Sequence, residues 1–281
     1  LHDALPISDY FPENNRTDFG ATIGRYANRI GGGKLTVAGK TYQLPQNNFG
    51  HCLHGGPSGW MYQVYDAKQP NDSTLVLTIV SPDGDNNFPG TVTAHTTYKV
   101  LSNNTLDITF DATTDKETVV NMTNHSYFNL NGDPSKEGTN MWLYLNADNY
   151  TPADSTYMTT GEILPVEGTP MDFRKAHALS QTINDTSFEQ IRNASGYDHN
   201  WCLNTYKDGK GDDTQVAASL YSPVTGILLE VMTNEQLGLD SNAKEAVAFA
   251  VLANEAMYGQ PNNAPGATGA AHPVVMGKIS Q

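Results

Sequence analysis

Apolar and polar residues alternate in short runs along most of this chain. Leu75-Val-Leu-Thr-Ile-Val80 sits in an alternating stretch from Val64 to Ser81, and Thr91 to Leu101 and Leu106 to Ala112 alternate again across Asn103-Asn104. Trp142 to Ala147 repeats the pattern. Period-two alternation places one side of a strand in a core and the other in water, so these runs predict half-buried β-strands. Lys34 to Val37 and Thr41 to Leu44 flank Ala38-Gly39-Lys40 and predict a hairpin with a glycine turn. Ser81-Pro-Asp-Gly-Asp-Asn-Asn-Phe-Pro-Gly90 is a dense turn cluster. Gln215 to Tyr221 and Ile227 to Met232 read as strands paired across Pro223-Val-Thr-Gly226. Thr118 to Thr123, a β-branched run, reads as a further strand. One short helix is predicted over Asp185 to Asn193, with Asp185 or Thr186 as N-cap. Gly161 to Pro165 and Thr169 to Arg174 read as extended loops.

Strand following strand at short spacing predicts an all-β, large antiparallel β-sandwich. Among 281 residues, 38% are hydrophobic and only 16% charged, which suits one large core in a strand-and-turn protein. No internal repeat or linker breaks the chain, so residues 1–281 are expected to form a single domain. Leu1 to Ser8 are set outside the native fold, and 236–281 carry the least regular pattern. The net charge of −14 disfavours nucleic acid and anionic membrane surfaces as partners and points to a neutral substrate. Neither a membrane-spanning run nor a secretory signal is visible. A cytoplasmic location is expected, with the periplasm or secretion as alternatives. Cys52 and Cys202 are the two cysteines, and either a disulfide or two thiols fits them.

Candidate chemistry gathers around Asn124-His125-Ser126-Tyr127-Phe128-Asn129. A histidine at the end of a strand is held rigidly, and an imidazole exchanges protons near neutral pH. On its own such a histidine is ordinarily structural. His54, followed by Gly55-Gly56, sits where a ligand can come close to the backbone. Arg29 presents fixed donors suited to sugar hydroxyls, and Asn28 adds an amide beside it. Asp198 could accept from neighbouring hydroxyls of a pyranose. His51-x-x-His54 has no third metal ligand nearby. Asp83-x-Asp85-x-Asn87 fails as a calcium loop because Phe88 and Ala94 stand where Gly and Glu are needed. No metal or cofactor is expected.

These segments together resemble the aldose 1-epimerases, or galactose mutarotases. Gly24-Arg-Tyr-Ala-Asn-Arg-Ile30, Leu53-His-Gly-Gly-Pro57, Ser81-Pro-Asp-Gly84, Thr123-Asn-His-Ser-Tyr-Phe-Asn-Leu130, Tyr150-Thr-Pro, Gly161-Glu-Ile, Asp172-Phe-Arg174 and Gly196-Tyr-Asp-His-Asn200 follow that family's order and spacing. The resemblance spans roughly residues 19 to 235. It implies the galactose mutarotase-like supersandwich. It also implies an isomerase that interconverts the α and β anomers of a free aldohexose such as galactose or glucose. His125 matches the general acid. Asn28, Arg29, His54, Tyr127 and Asp198 match sugar-binding positions.

The C-terminal part departs from the family. Its catalytic base is a glutamate in a Phe-Cys-Leu-Glu-type strand. Aligning Phe249 with that phenylalanine puts Leu252 at the glutamate's place, and Glu255 is the nearest acid. Glu255 is therefore the expected base. The alternative is a carbohydrate-binding protein on the same fold with impaired catalysis. A sandwich-fold glycoside hydrolase fits less well, because the motifs hold no evident pair of carboxylates. A monosaccharide is the expected partner, with the protein a monomer or weak dimer.

Overall fold

The computed structural model describes residues 18–133, 137–207 and 210–233. The described chain is almost wholly β, and the paired strands run antiparallel. It divides into two compact units, Gly20–His125 and the residues from Ser126 onward, with Phe19 joining the latter.

In the first unit, Asp66–Asn71, Thr74–Ser81, Val92–Val100 and Leu106–Thr114 form a four-stranded meander. The stretch from Val64 to Ser81 is thus two strands, turned at Asp72-Ser73. Val92, Ala94 and Thr96 point inward from one strand, and Ile79 pairs opposite Ala94. Trp60 packs with Ile79, Val92 and Ala94 to close this core. The predicted hairpin forms, with Lys34–Val37 against Lys40–Gln43. Its turn places Ala38 at φ 49° and Gly39 at φ 72°, the left-handed pair that suits a two-residue hairpin. Leu35 and Val37 join Leu44, Cys52 and Phe88 in a second cluster.

Thr118 to Thr123 is only partly a ladder strand. Asn121 makes an isolated bridge to Tyr26, and only Thr123–Asn124 pairs regularly, with Thr22–Ile23. The partner segment leaves the extended line at Gly24, whose carbonyl turns to accept the Trp60 amide at 3.0 Å.

In the second unit, His177–Ala178, Trp142–Leu145, Ala218–Tyr221 and Leu228–Val231 lie side by side in one sheet. Leu164–Pro165, Ala147–Thr151 and Asn200–Leu203 form another. The core contains Leu143, Leu145, Tyr150, Phe173, Tyr197, Trp201 and Leu220. The helix is shorter than predicted, Glu189–Ala194, with Phe188 at its N-cap. Asp185 instead binds the Ser187 amide and hydroxyl, a local turn that competes with capping. No helix among the described residues is long and apolar enough to cross a membrane.

Candidate functional site

His125 follows directly on Thr123–Asn124. Its amide donates to the Ala21 carbonyl and its carbonyl accepts from the Gly20 amide, both at 2.9 Å. The ladder therefore continues through His125 and fixes its backbone on both sides. The preceding side chain is held as well, since Asn124 Nδ2 donates to the Tyr98 hydroxyl at 3.1 Å.

His54 reaches the same place from another loop. Arg29–Ile30 pairs with Cys52–Leu53, which sets the Asn28 peptide beside His54. The His54 amide donates to the Asn28 carbonyl, and the Asn28 amide donates back to His54 Nδ1, each at 3.0 Å. An Nδ1 that accepts has no proton, so the neutral ring carries its proton on Nε2 and is a donor there. Gly55 makes the close fit possible: a Cβ there would lie 2.3 Å from the Gly24 carbonyl oxygen. The His54 and His125 rings meet edge-on, centroids 5.3 Å apart and planes at 81°.

Arg29 stands next to this pair. Its Nε and Nη2 both donate to Asn48 Oδ1, at 3.2 and 2.9 Å. Asn48 is pinned in turn by its paired backbone bonds with His51. His51 Nδ1 accepts from the Gly32 amide at 3.1 Å, so this histidine shapes the loop. Asn28 also takes the Arg29 amide on its own Oδ1 at 2.9 Å. It thus holds both neighbours in place, a role its type alone did not reveal.

Electrostatics favour neutral imidazoles here. Burial, then the nearby His125 and Arg29 charges, pushes His54 down to about 3. Burial pushes His125 down to about 4, against a hydrogen bond to its own backbone. An unfolded imidazole takes a proton near 6.5, so between about pH 6.5 and 4 the unfolded chain binds protons that the folded one refuses. Stability should therefore fall as pH drops through that window, by up to about 1.4 kcal/mol per pH unit for each such histidine. Urea midpoints at several pH values check this. His125→Gln should show a shallower slope, and an unchanged slope would contradict the assignment.

The first unit thus brings together Asn28, Arg29, His54 and His125. Tyr127 and Asp198 belong to the second unit. Tyr127 is buried with its ring 4.2 Å from that of Phe19. Asp198 is half-buried just ahead of Asn200–Leu203, its amide bonded to His199 Nδ1. Glu255, the expected base, lies outside the described residues. Cys52 is a buried thiol that burial pushes up to about 11.

A family model described as aldose 1-epimerase matches residues 4–265. The chain belongs to the aldose 1-epimerase family. It is 38% identical over 215 residues to the aldose 1-epimerase of Escherichia coli, a match covering 76% of this chain and 60% of that protein. It is 38% identical over 217 residues to the galactose mutarotase of Rattus norvegicus, covering 77% and 60%. A crystal structure of galactose 1-epimerase from Lactobacillus acidophilus superposes with a TM-score of 0.67 at 31% identity, covering 79% of this chain and 63% of that one. The chain thus spans about three fifths of the length of these family members, and its all-β fold is theirs.

Asn48 escaped the sequence reading. It lies 19 residues from the arginine it orients, inside an unremarkable polar loop, so no local spacing marks it.

Proposed function

We propose that this protein catalyses the interconversion of α and β anomers of a free aldohexose, galactose or glucose being the first to test. The observation that carries the reading is the edge-on pair of His54 and His125 beside Arg29. One imidazole, locked as an Nε2–H donor, and an oriented guanidinium can hold sugar oxygens while the second imidazole handles a proton. By the family resemblance alone, Tyr127 and Asp198 are assigned to the same sugar.

A base takes the proton from the anomeric hydroxyl, the C1–O5 bond breaks, and His125 delivers a proton to O5. The open aldehyde rotates about C1–C2 and closes with the roles reversed. The sugar exchanges only protons with the protein and no carbon changes oxidation state as C1–O5 breaks and re-forms, so the chemistry as written needs no cofactor. Burial pushes His125 down to about 4 and holds it neutral in the free protein, so it takes on the proton it delivers only in the sugar complex. An anion within a few ångströms would favour the charged ring, which gives a second reason to require a carboxylate. We assign that part to Glu255. A substrate without charge also suits a chain of net charge −14.

Polarimetry on freshly dissolved α-D-galactose and α-D-glucose tests this reading. The rotation should relax faster than in buffer at micromolar protein, and a rate equal to buffer would defeat it. Glu255→Gln should lower kcat by about 10²-fold or more while sugar binding persists in calorimetry. Full activity in that variant would place the base elsewhere.

A further inference from the structure

We propose that His199 is a positioning residue for Asp198, its imidazole fixing the peptide from which Asp198 holds the sugar. The inference rests on the functional reading above, in which Asp198 binds sugar hydroxyls. It deepens that reading by naming what sets the aspartate's place.

His199 is only 4% exposed, and both of its ring nitrogens are engaged. Nε2 lies 3.0 Å from Gln190 Oε1, and Nδ1 lies 3.2 Å from the Asp198 amide nitrogen. Gln190, itself buried, also accepts the Ala153 amide on the same Oε1 at 2.8 Å. That amide needs an acceptor, so the oxygen of Gln190 must face inward. An oxygen there requires the proton of His199 to sit on Nε2. Nδ1 is then left with a lone pair, and the Asp198 amide donates to it. Each step admits one arrangement, and it runs from the helix Glu189–Ala194 through the imidazole to the Asp198 peptide.

The ring has little room to turn. Tyr150 and Trp201 meet it edge-on, with centroids 6.2 and 6.3 Å away. The other end of the segment is tied too, since the Gly196 amide donates to the Ile191 carbonyl at 2.9 Å. A charged ring, or the tautomer protonated on Nδ1, would set an N–H against the Asp198 amide. Burial pushes His199 down to about 4, which keeps it neutral at working pH.

Two substitutions separate positioning from packing. Asparagine puts an oxygen near the Nδ1 position and can still accept from Asp198. Glutamine reaches the Nε2 position and can still meet Gln190, but leaves the Asp198 amide without its acceptor. With the full chain and α-D-galactose, His199→Gln should raise KM about tenfold with kcat within about threefold, the loss of one hydrogen bond that orients a binding group. His199→Asn should recover KM to within about threefold of the parent. Equal KM values in the two variants, or a parent-like KM in His199→Gln, would overturn the inference. Should His199→Gln fail to fold, Gln190→Met removes the acceptor that selects the tautomer and should likewise raise KM while sparing kcat. A parent-like KM in Gln190→Met, or loss of fold in both, would assign these residues to stability and overturn it. A parent with no rate above buffer fails the functional reading instead, and galactose affinity by calorimetry then ranks the same variants.

Discussion

Replacing His125 by glutamine should lower kcat for anomer interconversion by about 10²- to 10⁴-fold, the usual contribution of a positioned acid or base. KM should change little, because glutamine retains a donor of similar reach. The side chain stands at the end of a ladder that fixes its backbone through Ala21 and Gly20, so the exchange should leave the strand in place. His54 cannot substitute for it. Its Nδ1 is committed to the Asn28 amide, and burial beside His125 and Arg29 pushes it down to about 3. Initial rates by polarimetry, with affinity by calorimetry, check both halves. A kcat within threefold of the parent would remove His125 from the reaction. Equal loss of affinity and rate would make it a binding group.

The largest expected effect on stability comes from Arg25→Met. Arg25 is only 2% exposed, yet it carries a charge into the first unit. Nη1 donates to the Pro89 and Gly90 carbonyls, both at 2.9 Å. Nη2 donates to the Ser81 carbonyl at 3.1 Å and to Ser81 Oγ at 2.6 Å. The guanidinium also lies over the Phe88 ring, 5.6 Å from its centroid. Burial lowers its pKa, while Asp85, Asp83 and Asp115 oppose that shift. The whole turn cluster from Ser81 to Gly90 is thus folded around one side chain. Methionine fills much of the volume but leaves those carbonyls buried and unpaired. The expected cost is about 3–5 kcal/mol, that of breaking one side of a buried charged network. Lysine should rescue little, because a single ammonium cannot reproduce the planar fork. Denaturant unfolding measures the cost, and a loss under 1 kcal/mol would show that the turn cluster holds without Arg25.

The strands were legible because their patterns are local. Val92, Ala94 and Thr96 alternate inward, and Ala38-Gly39 supplies the left-handed turn its sequence announces. The short ladders were less so. Thr118 to Thr123 has strand composition, but pairing needs a partner, and past Ile23 the partner meets it only at Asn121, which bonds the Arg25 carbonyl and the Ala27 amide. The helix start was misplaced because Asp185 satisfies Ser187 rather than a helix amide. At the site in the first unit, residue types with intrinsic chemistry stood out: His54, His125 and Arg29. The residues that orient them did not. Asn48 is an ordinary amide whose role comes from long-range folding. Nothing in the local sequence distinguishes the Asn28 that locks a histidine from one that touches a sugar.

In the proposed chemistry the chain exchanges the two anomers of a free sugar through His125. Magnetisation exchange between the α and β anomeric protons of equilibrated D-galactose measures this directly, because it follows interconversion with no net reaction. Micromolar protein should raise the exchange rate well above that of buffer, and His125→Gln should return it to near the buffer rate. An exchange rate in the parent equal to that of buffer would contradict the account.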